Sequence, residues 1–185
     1  KFVSAGSYVT CGITIYNELK CWGLNSAGQI TPNSTAVLSY NEAQTIDAGQ
    51  TYKYVLASQN STSVPMYAIT TAGVLKKWGA GLSAITDVDN SDTYTMISSN
   101  TKTFCAISAT TSKVKCWGAN LGGVLARKSG SYLDYETPTE IEDTATYKHV
   151  SVGPAHVCGT TTSDQVKCWG SNIYGQLGNG LKQSS

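Results

Sequence analysis

Apolar residues recur at every second position over short stretches of the chain, and clusters of Gly, Asn, Asp and Ser separate these stretches. A period of two, with enrichment in β-branched residues, is typical of half-buried β-strands. The clearest examples are KFVSAG (1–6), YKYVLAS (52–58), YTMISSN (94–100) and YKHVSVG (147–153). Helical periodicity is nearly absent, and only residues 35–46 are compatible with one helical turn. The pattern therefore predicts an all-β chain.

Each of these strands is the first strand of a sequence repeat. In every repeat the third strand ends in the dipeptide Trp-Gly. The second strands are CGITI, YAITT, CAISA and CGTTT, and a fourth short stretch is clearest as TPTEI (137–141). We place the repeats at approximately 1–46, 47–91, 92–143 and 144–185. Four strands in about 40–50 residues are typical of a β-propeller blade. We interpret the recurring tryptophans as blade-packing residues: Trp22, Trp78, Trp117 and Trp169.

The last repeat, VSVGPAHVCGTTTSDQVKCWGSNIYGQLGNG (150–180), resembles the RCC1-like repeat (regulator of chromosome condensation), which contains W-G-x-N-x-x-G-Q-L-G-x-G. The matching residues are Gly153, His156, Trp169, Gly170, Asn172, Gly175, Gln176, Leu177, Gly178 and Gly180. The first repeat departs from the pattern at Ile30 and Thr31, the third at Val124 and Ala126, and the second keeps little beyond Trp78-Gly79. The resemblance implies RCC1-like β-propeller blades, of a secreted cysteine-containing type, in a ring that usually has seven blades.

Four repeats in 185 residues are fewer than the seven that usually close such a ring. Four blades alone leave sheet faces uncovered, which favours association with other proteins. We therefore expect residues 1–185 to be one propeller domain or propeller segment. The last repeat ends at LKQSS without a Pro-containing fourth strand, which favours a segment of a longer array. The alternative is an incomplete ring that partner chains, including copies of itself, complete.

Six cysteines form three pairs that each span the second and third strands of a repeat: Cys11/Cys21, Cys105/Cys116 and Cys158/Cys168. Neighbouring antiparallel strands bring such positions close enough for a disulfide. The second repeat lacks both cysteines and has Tyr67 and Lys77 instead, as expected if the pairs are bonded. Zinc sites usually space their cysteines by two to four residues, and only His149 and His156 are available to help. The pairs predict disulfides, with a metal site or free thiols as weaker alternatives, and disulfides indicate an extracellular compartment.

The surface composition agrees with an extracellular location. The tripeptide NST at Asn33 and at Asn60 is an acceptor for N-linked glycans, so we expect covalent glycans there. Charged residues make up 14% of the chain and the net charge is +1. No basic stripe is present, which argues against nucleic-acid binding. No apolar run approaches the roughly 20 residues of a membrane-spanning helix, which argues against membrane insertion.

Candidate chemical sites are weak. The glycine-rich end of the chain lacks the Lys-Ser/Thr of a phosphate-binding loop. The turn DVDNSD (87–92) offers carboxylates for calcium but lacks the glycine and the distant glutamate of a calcium loop. We interpret a second acidic group as an exposed connector: Asp134, Glu136, Glu140, Glu142 and Asp143. No serine lies in a G-x-S-x-G motif. We therefore predict no catalytic residue, no cofactor and no metal.

Two groups of tyrosines are assigned different roles. Tyr52, Tyr94 and Tyr147 precede first strands and are expected to pack between blades. A second group is predicted to lie in loops and to offer a contact surface: Tyr16, Tyr40, Tyr132, Tyr135 and Tyr174.

The sequence as a whole predicts a non-enzymatic, extracellular structural or protein-interaction module. Its most specific form is a subunit that assembles with copies of itself into a cell-surface fibre or appendage. The alternatives are a secreted carbohydrate-binding propeller and an inhibitor-like binding propeller. A GTPase exchange factor, the role of nuclear family members, is less favoured.

Overall fold

The computed structural model describes residues 1–32, 36–59, 63–126 and 135–182. In these residues all regular secondary structure is β-strand, apart from a short 3-10 turn at Leu121–Gly123. The all-β prediction is confirmed.

The described residues form fifteen strands in four antiparallel sheets, and within each sheet strands adjacent in sequence are also neighbours in space. The first sheet holds β1 (Phe2–Ala5), β2 (Val9–Ile13), β3 (Leu19–Leu24) and β4 (Ser39–Ile46). The second holds β5 (Tyr52–Leu56), β6 (Met66–Thr70), β7 (Leu75–Trp78) and β8 (Thr86–Asp87). The third holds β9 (Tyr94–Ser99), β10 (Thr103–Ser108), β11 (Val114–Gly118) and β12 (Tyr135–Glu140). The described part of the fourth holds β13 (Tyr147–Val152), β14 (His156–Thr161) and β15 (Val166–Gly170).

The segment 35–46, which was compatible with one helical turn, instead contains strand β4. β4 pairs with β3 from Leu19 opposite Ile46 to Leu24 opposite Ser39. Most β4 side chains are exposed, and Ile46 is the one that is fully buried. An outer strand with so little buried surface carries no apolar alternation, which is the signal that identifies strands in a sequence.

The chain divides into two compact units, an N-terminal half (1–93) and a C-terminal half (94–185). Within each half, the apolar side chains of one sheet pack against those of the next. In the N-terminal half the core includes Leu19 and Cys21 of the first sheet and Val55 and Met66 of the second. The core of the C-terminal half is built in the same way from the third and fourth sheets.

The glycine of the Trp-Gly dipeptide is required by the close approach of two strands. Gly118 has φ of 92°, and a Cβ atom added there would lie 2.1 Å from the carbonyl oxygen of Lys102. Few L-residues adopt such a backbone conformation. The turn into the following loop therefore depends on the absence of a side chain at this position.

Gly118→Ala is expected to lower the free energy of unfolding by about 2 kcal/mol, because the methyl group meets backbone and the positive φ is strained. Urea denaturation measures this value. Gly123→Ala is the matched control, since Gly123 also has positive φ (78°) but no atom lies within 4 Å of its added Cβ. Equal losses in both variants would show that the contact with Lys102 has no energetic consequence.

Candidate functional site

All six cysteines are bonded, in the three pairs that the spacing predicts: Cys11–Cys21, Cys105–Cys116 and Cys158–Cys168. In each pair the cysteines lie directly opposite each other on the second and third strands, with Cα atoms 4.1 Å apart. The second repeat has Tyr67 opposite Lys77 at the same register. The hairpin that lacks a disulfide therefore keeps the strand pairing of those that have one.

The turn at 87–92 uses its carboxylates within the protein. The Asp89 carboxylate accepts hydrogen bonds from the Ser91 amide (2.7 Å) and the Ser91 hydroxyl (2.6 Å). Asp87 lies in β8 and pairs with Lys76 at 3.0 Å. Among the described residues, no group of three or more His, Cys, Asp or Glu side chains is arranged to hold a metal ion.

Three loops that follow Trp-Gly are organised by a buried asparagine. We call residues 24–31, 119–126 and 171–178 the Asn loops. In the first, the Asn25 side-chain oxygen accepts hydrogen bonds from the amides of Ile30 (2.8 Å) and Thr31 (2.9 Å). Its side-chain nitrogen donates to the Thr31 hydroxyl (2.8 Å) and the Val37 carbonyl (2.9 Å). Asn25 is fully buried, so these bonds replace those that water would make.

The other two Asn loops use their asparagine in the same way. Asn120 accepts a hydrogen bond from the Leu125 amide at 2.9 Å, and Asn172 accepts one from the Leu177 amide at 2.9 Å. Asn120 and Asn172 are both buried. The pattern W-G-x-N-x-x-G contains this asparagine, but it did not reveal the role of the side chain, because the role depends on which backbone amides the loop turns inward.

The tryptophans link neighbouring repeats through the Asn loops. The indole N–H of Trp78 donates to the carbonyl of Gln29 at 2.7 Å, and that of Trp169 donates to the carbonyl of Val124 at 2.8 Å. Each acceptor lies seven residues after the Trp of the preceding repeat. Trp78, Trp117 and Trp169 are buried, whereas Trp22 is partly exposed.

In the second and fourth repeats, a buried tyrosine at the start of the first strand binds a carboxylate of the connector just before it. The Tyr52 hydroxyl donates to the Asp47 carboxylate at 2.5 Å, and the Tyr147 hydroxyl donates to the Asp143 carboxylate at 2.6 Å. Burial raises the pKa of both tyrosines above the ordinary value, and the carboxylate beside each one raises it further. Both hydroxyls therefore stay protonated, and both remain hydrogen-bond donors, across the physiological pH range.

Asp143 corrects the interpretation of the acidic group as an exposed connector. Burial alone would raise the pKa of Asp143, but hydrogen bonds from Tyr147, the Ala145 amide and Lys167 outweigh it and lower the pKa to about 2. Lys167 lies 3.0 Å from the carboxylate. Glu136 and Glu140 are exposed as expected but lie in strand β12. Asp134 lies outside the described residues.

Asp143→Asn is expected to destabilise the protein at neutral pH, with an effect that shrinks in acid. A lowered folded-state pKa stabilises the fold above the unfolded value of 3.8, and that stabilisation is lost as pH falls toward about 2. Thermal unfolding of both proteins between pH 7 and pH 2 measures the difference. Asp164→Asn is the control, because Asp164 pairs with Lys148 on the exposed surface. A difference at Asp143 that does not change with pH would contradict the assignment.

The predicted contact tyrosines do not share one environment. Tyr16 and Tyr174 are strongly exposed, at 75% and 85%. Tyr40 and Tyr135 were predicted in loops but lie in β4 and β12, where each packs on the core of its half. Tyr132 and the two glycan acceptors, Asn33 and Asn60, lie outside the described residues.

Two comparisons place the sequence among known proteins. A family model described as "Regulator of chromosome condensation (RCC1) repeat" matches residues 1–29 and 147–176, the beginning and the end of the chain. The human E3 ubiquitin-protein ligase HERC2 is 25% identical over 191 residues, which cover 96% of this chain. The chain is similar to RCC1-like repeat proteins. It spans only 4% of the length of HERC2, and the mouse HERC2 gives the same values.

Solved structures show the same fold. Human WBSCR16 has a TM-score of 0.79 at 16% identity and covers 100% of the RCC1-like chain, which spans 51% of WBSCR16. Yeast RCC1 (Prp20), in complex with Kap60, has a TM-score of 0.74 at 16% identity. The match covers 95% of this chain and 44% of the Prp20 chain. The ectodomain of the Physcomitrella patens receptor kinase CR4 has a TM-score of 0.64 at 21% identity. The match covers 99% of this chain and 45% of the ectodomain. The four sheets of this chain are therefore RCC1-like propeller blades.

Prp20 was solved bound to Kap60 and was studied for its binding to Gsp1p and histones. In this chain no described helix is long and apolar enough to cross a membrane.

Proposed function

We propose that this RCC1-like chain is an extracellular, non-catalytic structural module that binds proteins, including copies of itself. The observation that carries the proposal is the disulfide at the same hairpin position of three repeats. In the cytosol such bonds are kept reduced, whereas they persist outside the cell. The proposal combines this extracellular chemistry with a fold that binds proteins in its relatives.

The CR4 ectodomain supports the extracellular part of the proposal. An ectodomain is an extracellular region, and this one shares the fold over 99% of the chain. The RCC1-like fold is therefore compatible with the outside of a cell. The low charge content, 14%, and the two NST acceptors at Asn33 and Asn60 point to the same compartment.

The binding part of the proposal is supported by exposed apolar side chains on the Asn loops of the C-terminal half. Leu121 is 61% exposed, Ile173 is 60% exposed and Tyr174 is 85% exposed. Tyr and large apolar side chains are enriched where proteins bind each other. The first Asn loop has Ser26 and Ala27 at the equivalent positions. The Asn loops of the C-terminal half therefore expose more apolar surface than the first Asn loop does.

The compartment is tested by separating the source cells from their medium and blocking free thiols with N-ethylmaleimide before any denaturation. Peptide mass spectrometry of each fraction then reports the cysteine state. We expect disulfide-linked peptides in the medium or cell-surface fraction, and glycan mass on the peptides of Asn33 or Asn60. Alkylated cysteines in an intracellular fraction would contradict the proposal and favour the exchange-factor alternative.

A further inference from the structure

In the C-terminal half, two Asn loops and two strand-connecting turns form one continuous surface. The turn between β9 and β10 joins the Asn loop of the third repeat, because the Ala119 amide donates to the Lys102 carbonyl at 3.0 Å. The turn between β13 and β14 joins the Asn loop of the fourth repeat in the same way, from the Ser171 amide to the Ala155 carbonyl at 2.8 Å. The two repeats therefore present equivalent pairs of a turn and an Asn loop.

These two pairs lie against each other. A Cβ atom added at Gly122 would lie 3.1 Å from the Ser171 side chain and 3.4 Å from the Ala155 carbonyl oxygen. The Asn100 side chain donates to the Gly153 carbonyl at 2.5 Å, which joins the two turns. We call five exposed side chains of these segments the loop surface: Lys102, Leu121, Pro154, Ile173 and Tyr174.

The exposure of this surface is a property of the loop positions, because it also occurs in repeats that a further repeat follows. Leu121 is 61% exposed although the fourth repeat follows it, and Ser26 is exposed although the second repeat follows it. Ile173 occupies the same position of its Asn loop and is 60% exposed. Gly122, at the position of Tyr174, is exposed as well. A following repeat therefore leaves both positions in solvent.

The loop surface carries positive charge and no carboxylate. No Asp or Glu occurs in the two turns or in the two Asn loops. Lys102 is exposed and makes no ion pair among the described residues. By contrast, Lys148 of the same half pairs with Asp164 at the turn between β14 and β15. A ligand with carboxylates therefore meets no like charge on the loop surface, and no internal partner competes for Lys102.

The size of the loop surface indicates what kind of partner it fits. Stable contacts between folded proteins usually involve about 20–30 residues on each side. The loop surface has five exposed side chains, so it fits a short extended segment better than a second folded copy of the chain. An extended segment places alternate side chains on one face, so its apolar residues can contact Leu121, Ile173 and Tyr174 together.

We propose that the loop surface binds an extended segment of a partner protein that carries carboxylates beside large apolar side chains. The apolar side chains of the segment pack on Leu121, Ile173 and Tyr174, and one of its carboxylates pairs with Lys102. This inference rests on the proposed function, in which the chain binds proteins, and it adds the binding site and the chemistry of the partner.

Selection from a library of random peptides tests the proposal. The probe is a phage-displayed library of peptides of about ten residues, which span about 33 Å when extended. It is selected on the immobilised, disulfide-bonded chain, and we expect enrichment of peptides that combine Asp or Glu with Leu, Ile, Phe, Tyr or Trp. The affinity of a selected peptide, measured by fluorescence anisotropy, should fall as the salt concentration rises, because salt screens its attraction to Lys102.

Three variants remove parts of the loop surface one at a time. Leu121→Ser introduces the residue that the first Asn loop has at the same position, Ser26, and we expect about tenfold weaker peptide binding. Tyr174→Ala, which matches Ala27 of the first Asn loop, should weaken binding by a similar factor. Lys102→Glu should weaken binding by about tenfold at low salt and by less at high salt.

Two exposed residues outside the loop surface supply the matched controls. Lys53→Glu reverses the charge of an exposed lysine that makes no ion pair among the described residues. Ile15→Ser removes an apolar side chain that is 73% exposed. Neither change is expected to alter the affinity of the selected peptides. All five substitutions are on the surface, so the thermal unfolding midpoints should stay close to that of the wild type.

Enrichment of basic peptides, no enrichment at all, or binding that Leu121→Ser, Tyr174→Ala and Lys102→Glu leave unchanged would overturn the inference. Binding of glycans on a glycan array that Tyr174→Ala abolishes would also overturn it, as would self-association of the chain that Leu121→Ser abolishes. An extracellular, disulfide-bonded chain that selects no peptide would overturn it and keep the proposed compartment. Peptide binding by a chain that has free thiols inside the cell would do the reverse.

Discussion

Asn25→Ala is expected to lower the free energy of unfolding by about 4 kcal/mol, because it leaves buried backbone groups without hydrogen-bond partners. The amides of Ile30 and Thr31 and the carbonyl of Val37 all lose their bonds to the Asn25 side chain. Ile30 is 2% exposed, so water cannot replace the bond to its amide without opening the loop. Chemical denaturation followed by tryptophan fluorescence measures the loss.

The loss at Asn25 should spread to the next repeat. The carbonyl of Gln29, in the same loop, accepts the hydrogen bond of Trp78. We therefore expect faster hydrogen exchange at the Trp78 indole in Asn25→Ala than in the wild type. Asn172→Ala is the matched control, because its loop is exposed at Gly178 and Asn179, where water can reach the backbone. Equal losses of stability in the two variants would show that burial of the loop by the next repeat does not determine how much stability is lost.

The strand pattern and the cysteine pairing could be predicted because both depend on short sequence distances. The hairpin of β2 and β3 closes within a few residues, so the spacing of Cys11 and Cys21 limits the register to one that bridges them. The joint absence of both cysteines in the second repeat gave independent support, and the structure places Tyr67 and Lys77 opposite each other there. Local geometry was enough in these cases.

The bonds from Trp78 to Gln29 and from Trp169 to Val124 could not be predicted, because they join residues 49 and 45 positions apart whose proximity depends on how one sheet packs on the next. Tyr52 was expected to pack between blades, but nothing in the sequence pointed to Asp47, five positions away, as the acceptor of its hydroxyl. Asp143 was likewise assigned to an exposed connector, although it accepts the hydrogen bond of Tyr147. From the sequence alone, a carboxylate in a polar connector is expected to be solvated. Only the structure shows that a buried tyrosine hydroxyl lies beside it.

Strand β4 illustrates a different limit. Its residues Asn41, Glu42 and Thr45 are exposed, and the strand is held by backbone pairing with β3 and by Ile46. Hydrophobic periodicity depends on which side chains are buried, and backbone hydrogen bonding does not affect it. An outer strand with one buried side chain therefore gives almost no periodic signal in the sequence. The Asn loops show the opposite case. Their residues form a pattern that is recognisable in the sequence, whereas the hydrogen bonds of the asparagine are not.

Reduction of all three disulfides is expected to unfold the protein at room temperature. Closing a loop of this size stabilises a fold by about 3 kcal/mol, so three such bonds contribute about 9 kcal/mol. The whole stability of a domain is usually about 5–15 kcal/mol. We expect Cys158–Cys168 to be reduced first, because it is partly buried while the other two are fully buried. A reductant titration with alkylation and peptide mass spectrometry, followed in parallel by circular dichroism, measures both the order and the unfolding.

The double variant Cys158→Ala/Cys168→Ala separates one bond from the set of three. It is expected to stay folded, with a free energy of unfolding about 3 kcal/mol lower than that of the wild type. The second repeat shows that a hairpin of this kind keeps its register without a disulfide, since Tyr67 and Lys77 pair there across β6 and β7. The bonds therefore act on the stability of the chain rather than on the choice of strand pairing. A fully reduced and alkylated chain with unchanged near-ultraviolet circular dichroism and an unchanged denaturation midpoint would contradict this account.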